Sequence, residues 1–197
     1  MTIVSKSSLQ SASRQPEFKI VIIAPTLAGC RQGLQLWDGL QPLELWTRED
    51  TLMSIDRSIN SDIHGYSGSV APVVSDCWAR STQLVFFLPV GAVVRLIAPL
   101  LNNKHQDPGV VAIDDTGKFV VSVSGGHQGG ADALTRQCAA LLGAEPVITS
   151  ASEGQQLPAL DLLGKPYGWQ RGEGNWTEVA SALAQRQPIS VHQTCGE

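Results

Sequence analysis

A glycine-rich turn with one histidine is the part of this 197-residue sequence best suited to chemistry. An apolar β-branched run, residues 120–123, leads through Ser124 into Gly125-Gly126-His127-Gln128-Gly129-Gly130, and a helical pattern begins directly afterwards. A strand, a glycine turn and a helix in this order expose backbone N–H groups at the positive end of the helix, where anions bind. Because an imidazole titrates near neutral pH, the sequence predicts a binding or catalytic turn around His127.

The same glycines have a structural explanation that the sequence leaves open. A tight strand-to-helix turn needs residues that accept positive φ or close backbone packing, and glycine does both. The order Gly-Gly-x-x-Gly-Gly differs from the dinucleotide fingerprint, and no Walker lysine follows it. Both features count against a nucleotide-binding domain, which is a third and weaker hypothesis beside an enzyme and a binding module.

The composition restricts the classes of function. Hydrophobic residues make up 43% of the chain and charged residues 16%, which is typical of a globular protein. A net charge of −4 without a dense Lys/Arg stripe argues against nucleic-acid binding, and no apolar run reaches transmembrane length. The cysteines and histidines have no metal-ligand spacing. We therefore expect a cytoplasmic protein with no membrane contact and no metal site of its own.

Alternating strand and helix patterns predict the elements that position this turn. The predicted strands are residues 18–24, 43–46, 84–88, 110–114, 118–123 and 146–149. One predicted helix ends near residue 37, and the others cover residues 70–78, 92–98, 131–142, 157–163 and 176–185. Residues 48–69 have no clear pattern. The expected fold is α/β, with a mostly parallel sheet flanked by helices and one antiparallel hairpin at residues 115–117. We expect a mobile tail at residues 1–17, one domain at residues 18–186 and a frayed tail at residues 187–197.

Four predicted strands end in small, polar or glycine-rich turns, which are residues 26–29, 89–91, 124–130 and 149–154. In open α/β sheets, ligands bind beyond the carboxyl ends of parallel strands. If all four strands are parallel, their turns share one edge and Arg95 approaches His127. Arg95 is the only charge in its apolar helix, so it is either a snorkelling surface residue or a partner for an anion.

Several ordered motifs closely resemble the CbiG family. They are the run from Leu84 to Val111, Asp115-x-Gly117, Gly126-His127-x-Gly129-Gly130-Ala131 and Leu142-Gly143-Ala144-x-Pro146-Val147-Ile148-Thr149. The resemblance covers roughly residues 18–165. This family is cobalt-precorrin 5A hydrolase of anaerobic cobalamin (vitamin B12) biosynthesis. Asp132 departs from the family pattern, in which Asn is common, and the family's further C-terminal domain is not recognised here, so we expect a fragment of a longer or fused protein.

The resemblance implies a hydrolase that acts on a cobalt-carrying corrin. Water opens a δ-lactone of cobalt-precorrin 5A, acetaldehyde leaves, and cobalt-precorrin 5B remains. His127 is the implied base, and backbone N–H groups of Gly126, Gly129 and Gly130 are the candidate oxyanion donors. The protein needs no cofactor, because cobalt belongs to the substrate.

The remaining candidate residues bind the substrate or orient the base. Arg95 and Lys104 are candidates for holding substrate carboxylates. Gly91 and Thr149, from neighbouring turns, complete the predicted binding residues. Asp107 or Asp114 is the candidate that orients His127, although Asp114 equally fits a hairpin-turn residue.

A binding module is the rival hypothesis to the enzyme. In that case the domain holds a corrinoid or another anionic ligand, and His127 is only a hydrogen-bond donor in a turn. A missing domain or a partner would then supply the chemistry. The candidate partners under either hypothesis are other cobalamin-pathway enzymes or a fused methyltransferase. Turnover and binding are the two measurements that separate these hypotheses.

Overall fold

The computed structural model describes residues 19–42, 44–55, 62–104, 106–126, 129–149, 172–185 and 187–190. The chain consists of two compact units. The larger is Pro16–Ile148, and the smaller includes Thr149–Glu197. The predicted limits of the domain and its tails stay predictions, and the helix predicted at residues 157–163 lies outside the described residues.

A seven-stranded sheet forms the centre of the larger unit, in the order β3-β2-β1-β4-β5-β6-β7. The strands are β1 (Ile20–Ile23), β2 (Glu44–Arg48), β3 (Ile63–Tyr66), β4 (Gln83–Phe87), β5 (Gly109–Ile113), β6 (Phe119–Ser124) and β7 (Glu145–Val147). Every neighbouring pair is parallel except β5 and β6. The predicted fold class is therefore confirmed.

Helices cover both faces of this sheet. They are α1 (Leu27–Leu40), α2 (Glu49–Leu52), α3 (Ala71–Arg80), α4 (Val90–Ile97) and α5 (Ala131–Leu142). The smaller unit contains α6 (Trp176–Ala184), and its predicted cap is confirmed because the Asn175 side chain accepts a hydrogen bond from the Glu178 N–H. Elements α2 and β3 lie within residues 48–69, the segment without a clear sequence pattern. Within the described residues, no helix has both the length and the apolar character needed to span a membrane.

The core has two layers because side chains alternate across each strand. Ile20 and Ile22 point into the layer that contains α1 and α5, whereas Val21 and Ile23 point into the layer that contains α3 and α4. All four β1 side chains are buried, as are all five of β4 and all of β5. Burial on both faces explains why these strands read as continuous apolar runs.

The β5–β6 hairpin reverses the direction of the sheet. Strands β1 to β5 run one way, and their carboxyl ends define what we call the carboxyl edge. Because β6 is antiparallel to β5 and β7 is parallel to β6, these two strands end at the opposite edge, the amino edge. The expectation that all four turns share one edge is therefore wrong. The cause is the short link after β5, since a parallel return needs a crossover of a dozen residues or more.

Candidate functional site

The glycine turn lies at the amino edge and is packed backbone against backbone. A methyl group at Gly109, the first residue of β5, would lie 2.4 Å from the carbonyl oxygen of Gly129. Gly125 has a φ of +69°, and a methyl group there would lie 3.0 Å from the Gly109 Cα. These approaches require glycine for structural reasons. His127 itself lies outside the described residues.

Several backbone groups around the turn take part in internal hydrogen bonds. The Ala131 N–H donates to the Gly125 carbonyl at 3.2 Å, and the Asp132 N–H donates to the Gly126 carbonyl at 3.1 Å. The buried Gln83 side chain donates to the Gly129 carbonyl at 3.1 Å. Two N–H groups of the first turn of α5 are therefore not available to an oxyanion.

A buried carboxylate lies beside the turn and was not among the residues predicted for the site. Asp132 is 6% exposed and accepts a 2.6 Å hydrogen bond from the Ser122 hydroxyl. Its carboxylate oxygens lie 2.8 Å from the position that a Cβ atom would take at Gly126. An acidic residue in the first helical turn complements the helix dipole, and Asp132 takes that position in α5. Its position just after the glycine turn was the available signal.

Two further candidates lie between α4 and β5, near the same edge. Asp107 accepts hydrogen bonds from the Asn102 N–H at 3.1 and 3.3 Å, and Lys104 is exposed. Pro108 follows Asp107, and its carbonyl oxygen lies 3.0 Å from the Cβ position of Gly125. The chain therefore brings the Lys104–Asp107 loop to the edge that carries the glycine turn.

Asp114 lies at the carboxyl edge and acts as a hairpin residue. It accepts hydrogen bonds from the N–H groups of Phe119 at 2.6 Å and Thr116 at 3.1 Å, and from the Thr116 hydroxyl. Burial raises the pKa of the Asp114 carboxyl, but the hydrogen bonds together lower that pKa by more than burial raises it. The pKa of Asp114 therefore lies below its ordinary value. The turn interpretation that the sequence left open describes these contacts, and Asp114 stands at the edge opposite the glycine turn.

Arg95 and Gly91 lie together at the carboxyl edge. The Arg95 Nη1 atom donates to the Gly91 carbonyl at 2.9 Å, which folds the guanidinium back over the first turn of α4. A side chain on Gly91 would approach this nitrogen, since its Cβ would lie 3.4 Å away. Arg95 is exposed and has no carboxylate partner among the described residues. It is a surface cation rather than a buried anion partner.

The start of α1, at the same carboxyl edge, is occupied by the Asp115 carboxylate. Thr26 caps α1, because its hydroxyl accepts from the Gly29 N–H at 3.0 Å, and it donates to the Asp115 carboxylate at 2.9 Å. The Gln32 side chain donates to the Asp115 carbonyl at 2.9 Å. The hairpin is thereby tied to α1 across the end of β4.

The structure thus divides the predicted residues into groups rather than one cleft. Arg95 folds over the start of α4 at the carboxyl edge, and the glycine turn lies at the amino edge. Strand β4, which runs from the amino edge to the carboxyl edge, is about 13 Å long, for four rises of 3.3 Å. Thr149 is exposed and belongs to the smaller unit.

Other titratable clusters in the described residues have structural roles. The Arg80 guanidinium donates to Glu44 and to Asp76, and its hydrogen bond to Glu44 holds the pKa of that carboxyl below the ordinary value. Burial raises the pKa of the Cys77 thiol to about 11 and that of Cys138 to about 12, so both thiols stay protonated. Among all the residues that the structure describes, no group of three or more His, Cys, Asp or Glu residues is arranged to hold a metal ion.

Comparison with known proteins gives the class and then the family. Residues 72–153 match the family described as cobalamin synthesis G, N-terminal, and residues 158–197 match its cobalamin biosynthesis central region. An α/β protein of cobalamin biosynthesis is therefore the class to which the chain belongs. The family is CbiG, of which this chain contains the N-terminal and middle regions. The family resemblance predicted from the sequence is confirmed.

Two named relatives are cobalt-precorrin-5A hydrolases. The one from Priestia megaterium is 44% identical over 137 residues, which are 69% of this chain and 37% of the relative. The one from Salmonella typhimurium is 45% identical over 98 residues, which are 50% of this chain and 28% of the relative. The chain therefore spans well under half of either relative. A solved cobalamin biosynthesis protein G homologue from Sulfolobus solfataricus aligns with a TM-score of 0.48 at 20% identity, covering 91% of this chain and 51% of that one.

Proposed function

We propose that this chain is the part of a cobalt-precorrin-5A hydrolase that binds the substrate and carries its general base. The observation that supports the proposal is the 44% identity to a protein of that name over 137 residues. The identity extends over more than two-thirds of this chain, which supports a role for its own residues in the proposed chemistry.

The proposed reaction consumes one water molecule. Water adds to the lactone carbonyl, the ring C–O bond breaks, and a carboxylic acid and an alcohol form on the macrocycle. The alcohol then loses its proton as the C–C bond to the macrocycle breaks, which releases acetaldehyde. The electron pair of that bond stays on the macrocycle, which takes up the proton. Cobalt remains in the corrin throughout, as part of the substrate.

The proposed roles follow the two edges of the sheet. His127 activates water. Its described neighbours in the chain, Gly126 and Gly129, lie at the amino edge, as do Lys104 and Asp107. Among the candidate carboxylates, Asp107 is the better choice to orient His127, since Asp114 lies at the opposite edge. Arg95 holds a substrate carboxylate with its free N–H groups.

The remaining proposed contacts are backbone groups and one hydroxyl. Gly126, Gly129 and Gly130 line the turn, and their N–H groups are the proposed oxyanion donors, because those of Ala131 and Asp132 are already used. Gly91 lets the Arg95 guanidinium lie over the start of α4. Thr149 completes the proposed substrate contacts.

The test is acetaldehyde release from cobalt-precorrin 5A by the purified chain. His127→Asn keeps a polar side chain but removes the titrating group, and we expect it to fold, to bind the corrinoid and to lose turnover by about 10²–10⁴-fold. Lys19→Gln, an exposed change at the amino edge, is the matched control and should keep full activity. Equal turnover by His127→Asn and the wild type would remove His127 as the base.

A corrinoid-binding domain without activity of its own is the second candidate function. It is favoured by two observations: the chain spans 37% of the Priestia relative, and two N–H groups at the start of α5 are internally bonded. In this case other cobalamin-pathway enzymes or a fused methyltransferase are the proposed partners. Corrinoid binding without acetaldehyde release would select this function.

A further inference from the structure

Helix α4 is apolar on two sides, although only one of them is buried. Its inner side packs into the sheet through Val93 and Ile97, with Leu96 and Leu100 partly buried beside them. A helix that is hydrophobic all round is normally covered on all sides. The exposed side of α4 is therefore the feature of this surface that needs an explanation.

The exposed side forms a continuous apolar stripe. Val90 is 40% exposed, Val94 46% and Leu101 46%, and Ala98 between them is also exposed. The stripe follows a single helical face because hydrogen bonds from Ala98 to Val94 and from Leu101 to Ile97 extend the helical geometry past the end of α4. We call these four residues the α4 outer face. Apolar side chains that are contiguous on a surface, unlike singly scattered ones, are a feature of interaction sites.

The position of the α4 outer face links the two groups of candidate residues. The helix begins just after β4 at the carboxyl edge and returns toward the amino edge, over a length of about 16 Å from Val90 to Leu101. It packs against β5 and β6, the strands that lead to and from the glycine turn. The outer face therefore runs from Arg95 toward the edge that carries the turn.

The charges beside the outer face select its partner. Arg95 is the only charged residue between residues 89 and 101, and no carboxylate in the described residues neutralises it. A second copy of this chain, packed face to face, would bring two Arg95 side chains together without an acidic residue from either α4, and such like-charge contacts are unfavourable. A partner with an apolar face and a carboxylate rim satisfies both the valines and the guanidinium.

We propose that the α4 outer face is a docking surface for the apolar face of a cobalt corrin, with one peripheral carboxylate held by Arg95. This inference rests on the proposed function for its ligand class. Its readout is binding rather than turnover, so the docking surface and the general base are tested separately: loss of activity in His127→Asn does not bear on the docking surface. Conversely, an outer face that binds no corrin leaves the assignment of His127 as the base unaffected.

The test compares two cobalt corrins by calorimetry: dicyanocobyrinic acid, which has free carboxylates, and the same corrin with every carboxylate amidated. We expect Val94→Glu to weaken binding of both probes by about tenfold or more, because a charge replaces apolar contact. Arg95→Gln should weaken binding of the acid by a similar factor and leave binding of the amide unchanged.

Met53→Glu is the matched control, because Met53 is 83% exposed and lies at the end of α2, away from α4. This variant should bind both probes as the wild type does. Val90→Glu repeats the test at the other end of the stripe, and circular dichroism verifies that each variant folds. Wild-type affinity in Val94→Glu and Val90→Glu would overturn the docking surface alone, whereas a wild-type chain that binds neither corrin would overturn both the docking surface and the proposed function. Loss of self-association in these variants with corrin binding intact would assign the face to a second copy instead.

Discussion

Replacing Gly125 by alanine tests whether the glycine turn is required by backbone packing. Gly125 and Gly143 have nearly equal φ angles, +69° and +67°, so alanine suffers the same left-handed backbone penalty at both positions. Their surroundings differ. A methyl group at Gly125 lies 3.0 Å from both the Gly109 Cα and the Pro108 carbonyl oxygen, whereas nothing lies within 4 Å of one at Gly143. Gly143→Ala therefore serves as the matched control.

The expected magnitudes follow from these two contributions. Gly143→Ala should lower the free energy of unfolding by about 1–2 kcal/mol, which is the cost of the left-handed conformation alone. Gly125→Ala adds overpacking against backbone, which costs about 1–3 kcal/mol because backbone atoms of β5 cannot rotate away. The difference between the variants should therefore be about 2 kcal/mol, or roughly 4–8 °C in melting temperature.

Urea denaturation of both variants measures this difference directly. Equal destabilisation by the two alanines would refute the close packing of the turn on the start of β5. The glycines would then need a functional explanation, since the structural one would no longer apply. Gly109→Ala provides an independent check, because its methyl group meets the Gly129 carbonyl oxygen at 2.4 Å without any φ penalty.

Two more predictions concern the carboxyl edge and the α3 layer. Asp115→Ala removes the bond from Thr26 and should cost about 1 kcal/mol in urea denaturation, while the exposed Asp38→Ala should cost less than about 0.5 kcal/mol. Glu44 has a lowered pKa in the folded state, so its stabilising contribution is complete above the ordinary value of 4.5 and is lost as pH falls toward the folded value. Glu44→Gln should therefore be less sensitive to acid than the wild type, and parallel acid profiles of unfolding free energy would contradict this.

The central strands were predictable from sequence because they are buried on both faces. Residues 18–24 and 84–88 read as unbroken apolar runs, and they form β1 and β4 in the middle of the sheet. The outer strand β3, Ile63–Tyr66, has only its first and last residues buried and contains a histidine and a glycine. Such a strand is stabilised by pairing with β2 rather than by its own pattern, so sequence periodicity does not reveal it.

The site was harder to predict than the fold because it depends on strand direction. The hairpin at residues 115–117 was predicted correctly, and an antiparallel hairpin already implies that the turn after its second strand lies at the opposite edge. The expectation of one shared edge treated β6 as parallel and so conflicted with that prediction. Asp132 was missed for another reason. Its burial arises from contact with Ser122 and Gly126, which belong to the preceding strand and turn and become its neighbours only when the chain folds.

The separation of the two edges has a consequence for the size of the ligand. The two edges are separated by the length of β4, about 13 Å, so a small anion bound at one edge does not reach the other. A corrin is a broad, largely apolar ring whose carboxylates extend on flexible arms, so one molecule can bind a cation at one edge while its ring extends toward the other. The arrangement of these residues therefore favours a macrocyclic polycarboxylate over a small anion, which agrees with the ligand class proposed from the family. If Arg95→Gln weakened the binding of small carboxylates as strongly as that of the corrin acid, this argument from size would fail.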